Sequence, residues 1–179
     1  FKKQKKVGQS YLWIVDRIVI TVALAAVFIR MGNFVNSEIV GRPTGTDQGV
    51  VFGRIAEMYF EDGINGVDRA EASKGTSTED LEPGIVPVDI YVTFEGTSSS
   101  EQEIRAKLER EFKPMLTRYP VNEHYQEPLG TPLNYELTPI GRQWAATIHT
   151  YGIVRYPAQL YESATSLILF FLLLALWLK

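Results

Sequence analysis

Two apolar runs, one near each end of the chain, limit what this sequence can fold into more than any other feature. Residues 18–29 read IVITVALAAVFI, with Thr21 the one polar member, and residues 167–178 read LILFFLLLALWL. A helix that is apolar all round is either buried in a large core or set in lipid. Each run alone falls short of the roughly 20 residues that cross a bilayer core at about 1.5 Å per residue. Extension to Tyr11–Arg30 and Ala158–Leu178 supplies the length, and brings in Asp16 and Arg17 on one side and Gln159 and Glu162 on the other. Such residues inside a span face a bundle interior or a wet cavity. The expected fold class is therefore a membrane all-α multi-span bundle, with two spans in this chain. The competing reading is a pair of buried core helices in a soluble protein.

Composition alone hides this segregation. At 45% hydrophobic and 22% charged, the chain matches an ordinary soluble domain. The formal charge of −3 likewise averages a lysine cluster, Lys2, Lys3, Lys5 and Lys6, against an acidic middle. Lysines just before a span mark the cytoplasmic side, and Lys179 after the second run marks the same side. The central residues then lie outside, with Tyr11, Trp13 and Trp177 at the interface level. The acidic balance speaks against a nucleic-acid partner. The absence of Cys excludes disulfides, Cys-ligated zinc, iron–sulfur clusters and a thiol nucleophile on this chain. No metal site or cofactor is expected. The hydrophilic start through Ser10 carries no signal-peptide pattern, and a first residue Phe1 in place of Met suggests a piece of a longer chain.

The organisation read from the chain is a basic cytoplasmic flank at 1–10, a span at 11–30, a motif-dense loop at the outer membrane face at 31–61, a flexible acidic loop at 62–84, a small external α+β domain at 85–151, and a second motif with its span at 152–178. Val88, Ile90, Val92 and Phe94 alternate with polar residues as in a half-buried strand. Ser100 with Glu103 makes a capping-box pattern, and Ile104, Leu108, Phe112 and Met115 form an apolar stripe at helical spacing. Residues 118–132 are Pro-rich and irregular. Leu133, Tyr135 and Leu137, then Trp144, Ala146 and Ile148, read as two strands joined by a turn at 139–142, which gives a β-α-β-β unit. His124 reads as a loop residue and His149 as a strand residue, neither catalytic.

Two segments carry chemistry. The first runs from Arg30 to Pro43, RMGNFVNSEIVGRP, and packs cations, amides and a carboxylate around Gly32 and Gly41 at the end of the first span. If helix persists a turn past Arg30, Arg30 and Asn33 share a face. Such a cluster at headgroup level can hold a phosphate, because Arg presents a bidentate fork that Lys lacks; a helix end with a snorkelling Arg reads equally well. The second segment is Arg155-Tyr156-Pro157-Ala158-Gln159-Leu160-Tyr161-Glu162. Pro157 suits a first helical turn. Gln159, Glu162, Ser163 and Ser166 make a polar stripe that faces protein or water, for helix packing or for a site.

Residues 30–41 resemble the signature of the prolipoprotein diacylglyceryl transferases, Arg-x-Gly-Asn-Phe-x-Asn-x-Glu-x-x-Gly, at every fixed position. Residues 155–162 are similar to that family's Arg-His-Pro-Ser-Gln-Leu-Tyr-Glu, with Tyr156 for His and Ala158 for Ser, and Asp16 falls where the family carries an Asp. The likeness covers about 11–53 and 152–178, with 54–151 as an insertion. It implies a multi-pass enzyme of the bacterial inner membrane whose central excursion is periplasmic. Such an enzyme moves the diacylglyceryl group of phosphatidylglycerol onto the lipobox cysteine thiol of a preprolipoprotein, with glycerol phosphate leaving. The sulfur then belongs to the substrate, in keeping with a chain that has no Cys.

The implied catalytic residues are Arg30 on the phosphate, Asn33 holding headgroup or turn, and Glu38 orienting Arg30 or a second Arg. The implied substrate-binding residues are Asn36, Gly41, Arg155, Gln159, Tyr161 and Glu162, the last three lining one interior; Arg155 reads as a second cation or equally as an anchor of the helix. The family's His-Gly motif and a later Arg are absent from this sequence, so the chain is expected to be inactive alone. Two other classes fit the residues: a transport or channel subunit, and a membrane-tethered external interaction module.

Overall fold

The structure is a computed structural model that describes residues 11–76, 81–96 and 100–178. The chain divides into two units, one of Phe1–Val40 with Pro157–Lys179 and one of Gly41–Tyr156.

The first unit is a helix pair, α1 (Tyr11–Val35) and α5 (Ala158–Leu178). Both are long and apolar enough to cross a membrane. They run antiparallel, since contacts climb α1 as they descend α5: Arg17 with Trp177, Val27 with Ser163, Arg30 with Glu162. The seam is narrow. Ala23, Val27, Gln159 and Ser163 are its buried residues, while Phe28, Phe171 and Leu178 stay more than half exposed. An apolar surface of that extent needs lipid or further helices to cover it. At the other end of the pair, the Arg17 guanidinium lies 3.1 Å over the Trp13 ring and 4.9 Å from the Trp177 ring, a cation–π stack suited to the interface level. Helix α1 does not stop at Arg30. Met31 to Val35 stay helical, because a lone glycine such as Gly32 costs only about 1 kcal/mol in a helix.

The second unit is α+β. In chain order it comprises α2 (Arg54–Gly63), β1 (Val67–Lys74), β2 (Ile85–Phe94), α3 (Glu101–Lys107), a π-helical turn at Leu108–Phe112, α4 (Lys113–Leu116), a 3₁₀ turn at Val121–Glu123, β3 (Tyr135–Ile140) and β4 (Gln143–Ile153). The four strands form one antiparallel sheet in the order β1-β2-β4-β3. Val88, Ile90, Val92 and Phe94 point into the core, and Asp89, Tyr91 and Thr93 point away, as the alternation predicts. The helices cover the apolar face, with Phe60 against Phe112 at 4.7 Å in an edge-to-face contact. The capping box forms in both directions: Ser100 N–H donates to Glu103 Oε2 at 2.7 Å, and Glu103 N–H donates to Ser100 Oγ at 3.3 Å. The β3–β4 hairpin turns through two residues, with Gly141 at φ 62° supplying the positive φ that the turn needs.

Three expectations need correction. The 62–84 stretch is not all loop, since Val67–Lys74 is strand β1. Its sequence, VDRAEASK, lacks large apolar residues. Beside its ladder with β2, carboxylates of α2 hold it: Glu57 Oε1 accepts from Ala72 N–H and Glu61 Oε1 from Ala70 N–H, both at 2.8 Å. The sheet unit is thus β-β-α-β-β. Helix α2 likewise occupies the end of the 31–61 segment read as loop. Finally, Leu116 rather than Met115 completes the buried stripe of Ile104, Leu108 and Phe112. Four-residue repeats drift about 40° each in an α-helix, and the π-helical turn takes up that drift.

Candidate functional site

The signature residues gather at the C-terminal end of α1. Because the helix continues to Val35, Arg30 and Asn33 do lie one turn apart on one face. The helix then closes with two capping bonds: Glu38 N–H donates to the Asn33 carbonyl at 2.8 Å, and Ser37 N–H to the Phe34 carbonyl at 3.2 Å. Asn36 N–H completes the last turn on the Gly32 carbonyl at 2.9 Å. Glycine is the usual residue where Ser37 sits, at φ 58°, and Ile39 follows at φ 51°. A β-branched residue in the left-handed region costs on the order of 1–2 kcal/mol and persists only where its surroundings hold it.

Helix α5 supplies that hold. Gln159 is 1% exposed, and its Nε2 donates to the Glu38 carbonyl at 2.6 Å. Its Oε1 is buried without a hydrogen-bond partner among the described residues. On the next turn Glu162 Oε2 lies 2.6 Å from Arg30 Nε, and Ser163 Oγ donates to the Val27 carbonyl at 3.2 Å. The spacing 159, 162, 163 puts all three on the face toward α1.

Glu162 therefore takes the ion pair expected of Glu38. The Glu38 carboxylate is exposed and has no ion pair among the described residues, because past the capped helix end it no longer follows helical spacing. Tyr161 is 57% exposed, about 200° around the helix from Gln159, and so does not line an interior with Gln159 and Glu162. Arg30 is engaged through Nε alone. Among the described residues nothing bonds its two Nη groups, and its side chain is 32% exposed. A planar fork oriented by a carboxylate and open at its outer end suits a bidentate anion.

The second motif begins in the α+β unit. Here Gly41 and Arg155 form a clasp. Gly41 N–H donates to the Tyr156 carbonyl at 3.1 Å and Tyr156 N–H to the Arg42 carbonyl at 3.1 Å. Val50 and Arg155 exchange backbone bonds at 3.0 and 2.9 Å. The approach is so close that a Cβ on Gly41 would lie 2.3 Å from the Tyr156 carbonyl oxygen. Arg155 spends its donors on backbone: Nη1 to the Gly41 carbonyl at 2.9 Å, Nε to the Glu123 carbonyl at 3.0 Å, and Nη2 to that same carbonyl. This is the anchor role, one of the two that Arg155 left open by type, and its partners lie far apart in sequence.

His124 ends the 3₁₀ turn at 4% exposure, and its Nδ1 has no hydrogen-bond partner among the described residues. Burial, and then the nearby Arg155 cation, hold its pKa below the usual value. His149 lies on β4, its Nδ1 2.8 Å from Asp89 Oδ1. Among the described residues no group of three His, Cys, Asp or Glu side chains is placed to hold a metal ion.

A family model for prolipoprotein diacylglyceryl transferase matches residues 1–179. The chain belongs to the prolipoprotein diacylglyceryl transferase family. The match runs through the central residues as well as the two motifs. Three similar proteins are each named phosphatidylglycerol–prolipoprotein diacylglyceryl transferase. That of Tolumonas auensis is 56% identical over 46 residues, 26% of this chain and 18% of the relative. That of Chloroherpeton thalassium is 40% identical over 55 residues, 31% and 20%. That of Porphyromonas gingivalis is 45% identical over 49 residues, 27% and 17%. The chain thus spans a fifth or less of the length of these relatives. No solved structure matches it. Transferase chemistry in lipoprotein biosynthesis is the family's business, and it agrees with a helix pair that carries an oriented arginine.

Proposed function

We propose that this chain supplies the phosphate-binding corner of an enzyme that transfers the diacylglyceryl group of phosphatidylglycerol to the lipobox cysteine of a preprolipoprotein. The observation that carries the reading is the Arg30 fork, held at Nε by Glu162 and open at Nη1 and Nη2. In the reaction the substrate thiolate attacks the glyceryl carbon that bears the phosphate ester. A carbon–sulfur bond forms, the carbon–oxygen bond breaks, and glycerol phosphate leaves with the bonding pair. Charge grows on the departing phosphate oxygen, and a guanidinium there stabilises the transition state more than the ground state. Asn33 and Glu38 complete the corner, and Asn36 holds the turn. Gly41 and Arg155 shape the clasp at the start of the α+β unit.

In this reading α1 and α5 are two spans of a multi-span bundle in the bacterial inner membrane. Residues 1–10 flank it on the cytoplasmic side, and Gly41–Tyr156 forms an inserted domain on the periplasmic side. Membrane lipid and the preprolipoprotein are its partners. The test is transfer of diacylglyceryl to a prolipoprotein by Arg30→Ala and Arg30→Lys at equal expression in the full-length protein. Both are expected to lose about a hundredfold or more. Near-normal transfer by both removes the phosphate role from Arg30.

A further inference from the structure

The second motif contributes a side chain that never reaches solvent, and its place suggests a different task from binding. Gln159 is 1% exposed on a helix most of whose other side chains are exposed. Its hydrogen bond crosses 121 residues of sequence to the carbonyl of Glu38. Glu38 sits between Ser37 and Ile39, the two residues that are left-handed without being glycine among the described residues. The carboxamide orientation follows from its partner, since only the Nε2 end can donate to a carbonyl. The far end, Oε1, is buried and has no hydrogen-bond partner among the described residues, which is unfavourable for a polar atom. Two unfavourable features, a strained turn and an unsatisfied amide oxygen, thus meet at one hydrogen bond.

We propose that Gln159 is a positioning residue, whose buried carboxamide holds the Ser37–Glu38–Ile39 turn in its left-handed form and so sets the direction of the Glu38 side chain. The signature ends in a turn that its own residue types disfavour, and the second motif supplies the group that keeps it. The two motifs are then one device: Glu162 orients Arg30 on the last turns of α1, and Gln159 orients the residues that follow. This deepens the transferase reading and rests on it for the activity measurement alone.

Two measurements separate the ideas, both on the full-length protein in nanodiscs. The first is hydrogen exchange at the Glu38 amide, which reports the turn whatever reaction the protein carries out. Gln159→Leu, and the closer-shaped Gln159→Met in case the first variant fails to accumulate, are expected to speed that exchange about tenfold. Ile39→Gly accepts a positive φ without strain, so the double variant Gln159→Leu/Ile39→Gly is expected to return to within about threefold of the parent. Ser163→Ala removes a helix–helix hydrogen bond one turn away and is expected to leave the Glu38 amide unchanged.

The second measurement is transfer from phosphatidylglycerol, where Gln159→Leu should lower kcat/KM about tenfold and Ile39→Gly should restore most of the loss. Unchanged exchange in Gln159→Leu and Gln159→Met overturns the proposal. So does a loss that Ile39→Gly does not repair, which points to direct substrate contact, or an equal effect in Ser163→Ala, which points to general packing. Absence of transfer by the parent protein overturns the transferase reading and leaves the exchange result to decide the role of Gln159.

Discussion

Two glycines of the same signature should respond to alanine with opposite signs. Gly41 runs beside Tyr156, and a Cβ built on it lies 2.3 Å from the Tyr156 carbonyl oxygen, 3.0 Å from its Cβ and 3.1 Å from its carbonyl carbon. The nearest of these is backbone and cannot rotate away. Real Cβ contacts hardly ever fall below 3.0 Å, so the two segments must part by about 0.7 Å, enough to break ordinary hydrogen-bond geometry. That strains both bonds between 41–42 and 156, each now 3.1 Å. A lost backbone hydrogen bond costs about 0.5–1.5 kcal/mol and forced overpacking about 1–3 kcal/mol, so Gly41→Ala is expected to destabilise by about 2–4 kcal/mol.

Gly32 is helical with nothing within 4 Å of its built Cβ. Gly32→Ala should therefore stabilise α1 by about 0.5–1 kcal/mol. For the α+β unit the assay is thermal unfolding followed by Trp144 fluorescence, in a background where Trp13 and Trp177 are Phe. Gly41→Ala should lower its Tm by on the order of 10 °C. Hydrogen exchange along 30–36 reads Gly32→Ala, which should slow exchange there. A Gly41→Ala shift within about 1 °C, against that scale, means that the 41–156 approach is looser than 2.3 Å implies, and faster exchange in Gly32→Ala means that Gly32 is not open helix.

Three further outcomes follow from the same geometry. Glu162→Gln keeps shape but removes the charge that holds Arg30 Nε, so transfer should fall about tenfold with the protein still folded; unchanged transfer contradicts the orienting role. Glu57→Ala strips the acceptor from Ala72 N–H and should cost the α+β unit about 1–2 kcal/mol in thermal unfolding, whereas an unchanged Tm means that water replaces the carboxylate. His124 has a folded pKa below its ordinary 6.5, so on acidification the unfolded chain binds the proton first. Its contribution is whole above pH 6.5 and is lost as the pH falls from there toward the folded pKa. Tm should drop from pH 7 to about 5, and His124→Phe should flatten that drop. Glu127, whose pKa burial raises despite the 2.7 Å bond from Thr150, acts in the opposite sense, so the comparison of variant with parent isolates His124.

Much of this architecture is legible in the residues. The two long apolar helices, the inward face of β2, the capping box at Ser100 and the pairing of β3 with β4 follow from apolar period and local chemistry, because in each case the signal and its partner lie close in sequence. Strand β1 is different. Past Val67 its side chains are small or polar, and it is held by a ladder with β2 and by carboxylates on a separate helix. The site shows the same division. The residue types at Arg30, Asn33 and Glu38 point to an anion, but which carboxylate pairs with Arg30 depends on how α5 lies along α1. Only packing decides that Glu162 faces Arg30 and that Gln159 is buried. Arg155 presents as a second cation by type, yet the backbone carbonyls of Gly41 and Glu123 absorb its donors, and those carbonyls carry no signature in the sequence.

On the proposed reading, the Arg30 corner serves displacement at a phosphate ester by a substrate thiolate. The most direct measurement follows both products together in phosphatidylglycerol vesicles holding the full-length protein and a lipobox peptide. The expected result is one glycerol phosphate released for each thioether formed, with both absent when the peptide cysteine is replaced by serine. Release of glycerol phosphate without thioether, or no release at all from a folded parent protein, rules out that displacement at the Arg30 corner.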